Sequence, residues 1–561
     1  MPAEQTIRGD RVPGGRAPGP GEVRGRGDQG TPVALRVVSP ASSSTAPAAA
    51  AAFLRPASTR PVALAAVAAA AGLAVPAGAG TTITGITLRA ADARPGDLFA
   101  ALPGTRVHGA DFAATALDAG AVAVLTDPAG AARPGLGSVP VLVHERPRDV
   151  VGPVAALVYG DPTARLQVLG VTGTSGKTTV AHLLEAGLLA AGRTSGLLGT
   201  VGNRVVGPDR EPLRRLPAAF TTPEAPDLQA LFAVMAEAGA TDVAMEVSSH
   251  ALALGRVAGT RFAVAAFTNL SQDHLDFHRD MEDYFAAKAA LFDGRAERAV
   301  ICVDDVWGQR LAARTPHAVT VSTTGSAGWR ATDRQVGADG TQSFTALAPG
   351  GAATPVRLQL PGAFNVANAL VALACLDAVG VPPAVAAGAF TGLAVPGRMQ
   401  RVEAGQPFLA VVDYAHKPAA VTALLDTLRS QVPGRLIVVL GCGGDRDRGK
   451  RPLMGAAAAA AAELLVVTDD NPRSEDPAQI RAAMLAGARA EPARGEVLEV
   501  GDRREAIAVA VSHARPGDAV VVAGKGHETG QEIRGTKFPF DDAAVLAAAV
   551  AARPVEGGAR G

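Results

Sequence analysis

Cysteines and aromatic residues are scarce in this chain: three cysteines, two tryptophans and three tyrosines stand among 561 residues. Cys302, Cys375 and Cys442 are far apart and show no CxxC spacing, which argues against a disulfide framework or a zinc site and fits a reducing cytosol. An excess of charge of one sign is also missing. With 53 basic and 53 acidic side chains the formal net charge is zero, so nothing favours nucleic acid or a membrane surface as partner. The apolar run from Pro61 to Pro76 is shorter than the roughly 20 residues that span a bilayer, and it reads as a packed helix. No GxSxG elbow surrounds Ser248 and Ser249, so Ser248-Ser249-His250 is not read as a hydrolase arrangement.

What is present is a Gly-rich stretch, Gly170-Val-Thr-Gly-Thr-Ser-Gly-Lys-Thr-Thr-Val180, between a short apolar strand and a helix expected over Thr178 to Ala191. Glycines let backbone N–H groups close around phosphate oxygens, and the helix N-terminus adds a favourable dipole. The spacing follows the shorter GTxGKTT form, because Val171 stands where the first glycine of GxxxxGK[ST] would be. Gly173, Thr174, Ser175, Gly176, Lys177, Thr178 and Thr179 are thus candidate nucleotide contacts. Lys177 would reach the terminal phosphates and Thr178 would offer its hydroxyl to magnesium.

The length implies three or four domains. Residues 1–54, rich in Gly, Pro, Arg, Ser and Ala, read as a disordered extension with no signal-peptide core. Residues 55–161 read as a small α/β domain with strands near 82–88, 97–101, 121–126 and 139–143. Residues 162–395 alternate strands and helices in the manner of a P-loop ATPase with a mainly parallel sheet, and residues 396–555 read as a Rossmann-like, doubly wound domain. The fold class is therefore α/β in three domains. Gly441-Cys-Gly-Gly444 lacks the ribose-binding acid that a dinucleotide fingerprint requires. Three central strands deliver the phosphate loop, Ser248-Ser249-His250 and the 269–278 loop, and ligands of open α/β sheets bind at such carboxyl ends. Glu246 would then join Thr178 as an oxygen ligand for magnesium. On its own, His274 reads as a solvated turn histidine and Lys288 as a solvated helix lysine.

The motifs resemble those of the Mur ligases, ATP-dependent amide-forming enzymes of peptidoglycan precursor synthesis. They are GTSGKTT at 173–179, TTPE at 221–224, EVSSHAL at 246–252, TNLSQDHLDFH at 268–278 and YFAAK at 284–288. They continue with PGAFNVANALVA at 361–372, PGRMQ at 396–400, DYAHKP at 413–418, GCGGDRDRGKRP at 441–452, DDNPR at 469–473 and GKGHET at 524–529. The resemblance covers about residues 55 to 550.

It implies that ATP phosphorylates the D-glutamate γ-carboxylate of UDP-N-acetylmuramoyl-L-alanyl-D-glutamate and that an amine displaces phosphate from the acyl phosphate. It further implies Lys177, Glu246, His274 and Lys288 as catalytic residues, with Lys288 carbamylated. Thr178 and Glu246 would serve one magnesium, and His274 and the carbamate a second. Asn365, Asn368, Arg398, Asp413 and His416 would surround ATP, while Thr221, Thr222, Ser248 and Arg256 would contact the muramoyl dipeptide. The Asp470-Asn471-Pro472-Arg473 loop, with Arg446, Gly524 and Glu528, implies diaminopimelate as the amine, because Arg473 can pair bidentately with its distal carboxylate. A lysine-adding relative, a folylpolyglutamate synthetase-like ligase and a non-catalytic nucleotide-dependent scaffold are the alternatives. The expected enzyme is a cytoplasmic monomer acting on small molecules. Arg89-Ala90-Ala91 departs from the family's Asp-Ser-Arg, so the serine contact to uridine is missing. Either Arg89 rebuilds it or affinity there is lower.

Overall fold

The computed structural model describes residues 55–75, 80–216, 220–337, 340–490 and 493–553. The extension expected over 1–54 lies outside them, as do residues 554–555 of the expected third domain. Each of the three α/β regions builds its own sheet.

In the first, Gly85–Thr87, Asp97–Ala100, Ala123–Thr126 and Val141–Val143 form a four-stranded parallel sheet in that order. The strand expected over 82–88 is broken at Thr84. Thr82–Ile83 pairs antiparallel with Val62–Ala63, while the Thr84 carbonyl accepts from Thr59 Oγ1 at 2.6 Å and its N–H donates to Gly96 O at 2.9 Å. The apolar run thus gives the strand Val62–Ala63 and then the short helix Leu64–Ala70, which buries Leu64, Val67 and Ala68.

Among the described residues the central sheet has eleven strands. Its middle is parallel and places Asp242–Glu246, Gln167–Thr172 and Phe262–Phe267 side by side, so their carboxyl ends share one edge of the sheet. These strands are nearly all buried, as strands covered on both faces must be. The phosphate-loop strand runs on to Thr172, so Gly170 belongs to the sheet. There a Cβ would meet the Phe262 ring at 2.6 Å, and glycine gives that ring its room. Antiparallel strands flank both ends, among them Gln342–Leu347 and Ala353–Leu358. Gln342–Leu347 alternates buried and half-buried residues, the period of a strand covered on one face.

In the third region, Leu409–Asp413, Ala519–Ala523, Leu436–Cys442, Leu464–Asp469 and Glu496–Glu499 run parallel, with Gln400–Arg401 antiparallel at the edge. Helices Pro418–Arg429, Lys450–Ala461 and Pro477–Ala490 pack on one face, Arg503–His513 and Asp542–Ala551 on the other. This is the doubly wound arrangement.

Candidate active site

The phosphate loop, residues 173–176, leads into the helix Lys177–Ala190. Asn269, at the end of the neighbouring strand, holds it by three bonds: its carbonyl accepts from Thr174 N at 2.9 Å, its Oδ1 from Ser175 N at 3.0 Å, and its Nδ2 donates to Ser175 O at 3.1 Å. Thr268 Oγ1 adds a bond to Ser175 O at 2.7 Å. Gly176 has φ +88°, and Asn368 Oδ1 occupies the space where a side chain would start, so the helix Ala363–Ala378 abuts the loop. Asn368 Nδ2 donates to Asn365 Oδ1 at 2.9 Å, and Asn365 Nδ2 to Pro361 O at 2.7 Å. Thr179 is buried in the same first turn.

Two lysines converge on one carbonyl. Lys177 Nζ donates to Gly173 O at 2.8 Å and to Thr174 O at 3.1 Å, and Lys288 Nζ donates to Gly173 O at 2.9 Å. Burial lowers the Lys177 ammonium to about 8; Glu246 and Asp273 oppose the shift, Lys417 and Arg398 reinforce it. Lys288 is 1% exposed and lies 4.5 Å over the Tyr284 ring, whose hydroxyl is 3.1 Å from Thr174 Oγ1. Burial, then the nearby Lys177, push it well below the usual lysine range. A lysine this enclosed is no solvated surface cation, which is how its residue type alone reads.

Glu246 ends its strand inside a cage of oxygens. Its Oε2 accepts from Thr178 Oγ1 at 3.0 Å and Thr200 Oγ1 at 3.1 Å, and its Oε1 from Thr200 N at 2.8 Å. A carboxylate and two hydroxyls are donors of the kind magnesium takes. Thr221 Oγ1 is 3.1 Å from Thr200 Oγ1. Thr222 Oγ1 donates to Glu246 O at 2.8 Å and accepts from Ser248 N at 3.1 Å, while Ser248 Oγ caps the helix Ser249–Ala253 through Ala251 N at 3.1 Å. Arg256 reaches Thr222 O at 3.2 Å and Glu224 at 2.9 Å. The four expected dipeptide contacts therefore cluster beside Glu246.

His274 sits at φ +53° with its side chain 42% exposed and its Nε2 3.0 Å from Asp273 Oδ2. The same Asp273 oxygen pairs with Lys417. His250 packs edge-on to His274 at 4.8 Å, and burial lowers its imidazole to about 4, with His274 and His278 contributing.

Across the cleft, Arg398 Nη2 donates to Thr178 Oγ1 at 3.3 Å and lies 4.4 Å over the Tyr414 ring. Asp413 accepts from Met399 N at 2.7 Å and Ala415 N at 2.8 Å; burial raises its carboxyl against the pull of Arg398. His416, lowered to about 3 chiefly by burial, bonds Tyr414 O at 2.7 Å. Asn471 Nδ2 donates to Glu528 Oε2 at 2.7 Å. Arg473, at φ +53°, donates to Gly444 O at 2.6 Å and approaches Glu532 at 3.4 Å. Asp470 stands beside Gly524, and Pro472 O beside Gly444. Arg446 stands apart: it is exposed, its Nη1 directed at Asp445 O at 3.4 Å, and no hydrogen bond among the described residues ties it to Asn471 or Glu528.

Several participants carry no role in the motif reading. Lys525, wholly buried, donates to Asn471 Oδ1 at 3.0 Å, Glu528 Oε2 at 3.1 Å and Gly530 O at 2.7 Å, which cross-links the DDNPR and GKGHET segments. Arg503 ties the strands behind those segments together, through Ala523 O at 3.0 Å and Asp469 O at 3.4 Å, while paired with buried Asp542 at 2.7 Å. Lys525 was visible inside its motif. So was Asn269, inside TNLSQDHLDFH, whereas Thr200 and Arg503 lie in no motif. Arg89 bridges to Asp227 on the helix Ala225–Glu237, at 2.9 and 3.3 Å, and also pairs with Asp92.

Comparison with known proteins agrees with this geometry. Residues 82–158 match the catalytic domain of the Mur ligase family, 171–376 the Mur ligase middle domain and 397–526 the Mur ligase glutamate ligase domain. The chain is 54% identical over 464 residues to UDP-N-acetylmuramoyl-L-alanyl-D-glutamate–2,6-diaminopimelate ligase of Corynebacterium glutamicum, covering 81% of this chain and 89% of that one. It is 53% identical over 487 residues to the protein of the same name from Streptomyces coelicolor, covering 85% and 94%. A solved structure bearing that name has a TM-score of 0.62 at 34% identity, covering 88% of this chain and 99% of its own. The ADP complex of MurF ligase from Thermotoga maritima, 19% identical with a TM-score of 0.56 over 83% and 96% of the chains, shares the fold. The chain belongs to the Mur ligase family.

Proposed function

We propose that this chain is the ATP-dependent ligase that adds 2,6-diaminopimelate to the D-glutamate γ-carboxylate of UDP-N-acetylmuramoyl-L-alanyl-D-glutamate. The observation that carries the reading is the convergence of Lys177, Thr178, Glu246, His274 and Lys288 at one sheet edge, in a chain 54% identical over 464 residues to a ligase of that name.

The carboxylate attacks the γ-phosphorus of ATP, ADP leaves, and the product is an acyl phosphate. The neutral amine then attacks the acyl carbon; the tetrahedral intermediate expels phosphate as the amine gives up its proton. Lys177 offsets the negative charge on the transferred phosphoryl group. Thr178 and Glu246 would hold magnesium, which when bound screens phosphate charge and polarises the phosphoryl group. Burial and the neighbouring Lys177 shift Lys288 toward the neutral amine, the form that combines with carbon dioxide; as a carbamate it would become an oxygen donor and, with His274, serve a second magnesium. Arg398, Asp413 and His416 approach from the third domain, with Asn365 and Asn368 opposite, so ATP would draw the cleft shut and exclude water from the acyl phosphate. Asn471, Arg473, Gly524 and Glu528 would select the amine, Glu528 held by Lys525. Among the described residues no helix is long and apolar enough to cross a membrane. A cytoplasmic, monomeric enzyme completes the reading.

The test is ATP consumption with the UDP-muramoyl dipeptide and a panel of meso-diaminopimelate, LL-diaminopimelate and lysine. A diaminopimelate isomer should drive turnover and lysine should not; equal turnover with lysine would overturn the amine assignment. Lys288→Ala should abolish phosphate release, with partial rescue by short carboxylic acids.

A further inference from the structure

Lys417 joins two sides of the cleft without a part in the chemistry above. It lies just before the helix Pro418–Arg429, its carbonyl accepting from Val421 N at 2.9 Å. The turn beneath it is fixed: His416 Nδ1 bonds Tyr414 O at 2.7 Å and Lys450 Nζ donates to His416 O at 3.0 Å. From this base the Lys417 ammonium pairs with Asp273 in the central domain, the two side chains being 21% and 13% exposed. The acceptor is Oδ2, the oxygen that also lies 3.0 Å from His274 Nε2. One carboxylate oxygen is thus shared by a cation of the third domain and an imidazole of the central domain. What touches one ring nitrogen sets the orientation and tautomer of the imidazole. His274 also sits in the left-handed backbone region, where a bulky residue stays only if its surroundings hold it.

We propose that Lys417 is a positioning residue that couples the seating of the third domain to the orientation of His274, through their shared carboxylate Asp273. With Lys417 in place, Asp273 is pinned and presents a fixed acceptor to His274. When the third domain lifts away, Asp273 loses one of two partners and the His274 loop relaxes. The site is then completed only when the third domain, which brings the amine, is seated. This proposal rests on the ligase reading above.

The full-length protein and its Lys417→Met and Lys417→Arg variants test it, with circular dichroism confirming that each folds. Small-angle scattering without substrates reads domain seating; ATP turnover with the dipeptide and diaminopimelate reads kcat and KM. Lys417→Met should expand the scattering profile and lower kcat by about 10–100-fold, the usual cost of losing a partner that orients a metal-side ligand, with little change in KM for diaminopimelate. Lys417→Arg should restore most of both. Unchanged kcat, or a lower kcat with an unmoved scattering profile, would overturn the coupling. A wild-type protein that consumes no ATP in response to diaminopimelate would instead sink the ligase reading, because the scattering comparison needs no substrate.

Discussion

The first and third domains meet the central domain in opposite ways. The first shares a hydrophobic core with it: Leu64, Ile86, Leu98, Leu125 and Val154 cluster together with Ala225, Ala230 and Ala233 of the central helix Ala225–Glu237. The helix Pro147–Val158 presses so close at Gly152 that a side chain there would collide with Ala258 O. The third domain keeps its apolar clusters within residues 399–550 and reaches the cleft through polar groups: Arg398 to Thr178, Lys417 to Asp273. Apolar burial is non-directional and holds a fixed seam, whereas a few half-buried polar contacts are directional and can be exchanged for bonds to water. The first domain is therefore anchored, and the third can move over the chemistry.

Breaking the anchored seam should have the largest effect. Gly152→Val forces a side chain into the Ala258 backbone, and overpacking of this kind costs about 1–3 kcal/mol. Chemical denaturation should show the first and central domains destabilised together. An early, separate transition of the first domain alone would show that the apolar seam does not anchor it.

The movable side can be sharpened by pH. Lys177 falls to about 8 through burial, with Lys417 and Arg398 of the third domain adding to the shift. Below pH 8 it is charged; above, the nucleotide-free site holds a neutral amine that attracts phosphate poorly. The KM for ATP should therefore climb above pH 8, by up to about tenfold per pH unit, since one unit corresponds to 1.36 kcal/mol. Lys417→Met removes one of the cations and should move the break to higher pH, while Gly152→Val should leave it in place. Salt acts on the same side: at ~1 M the screening length shrinks to about 3 Å, so scattering should show the third domain loosening and the first holding.

The sequence showed the parts whose chemistry is local. The strand–loop–helix around Gly173 to Thr178, the Leu409–Asp413 and Ala519–Ala523 strands, and the three-domain order all follow from apolar runs and glycine punctuation. Glu246 and Lys288 were legible as residues, but their environments were not, because the oxygen cage of Thr200 and the burial of Lys288 depend on segments distant in the chain. Arg503, with Asp542 39 positions further on, could not be read at all: a buried ion pair has no sequence period. Family motifs imply the roles that residue chemistry alone left open, most clearly for His274, which by itself reads as a turn histidine.

The mildest change is expected at Arg89, in the Arg89-Ala90-Ala91 stretch where the motif resemblance implies Asp-Ser-Arg. Its guanidinium spans Asp227 on the central helix and Asp92 beside it, and its side chain is 43% exposed. This geometry adds a polar clasp to the apolar seam of the first domain. A pair this exposed contributes about 0.2–1 kcal/mol, so Arg89→Ala and Asp227→Asn should each lower the melting temperature slightly, and the double variant should lose no more than the worse single one. Neither should change the KM for ATP. The KM for the UDP-muramoyl dipeptide separates the two roles open to Arg89. A clasp makes both substitutions equivalent there, whereas a contact to uridine makes Arg89→Ala raise that KM while Asp227→Asn, which frees the guanidinium from its carboxylate, does not. The second pattern would mean that Arg89 takes the place of the serine contact that the resemblance implies.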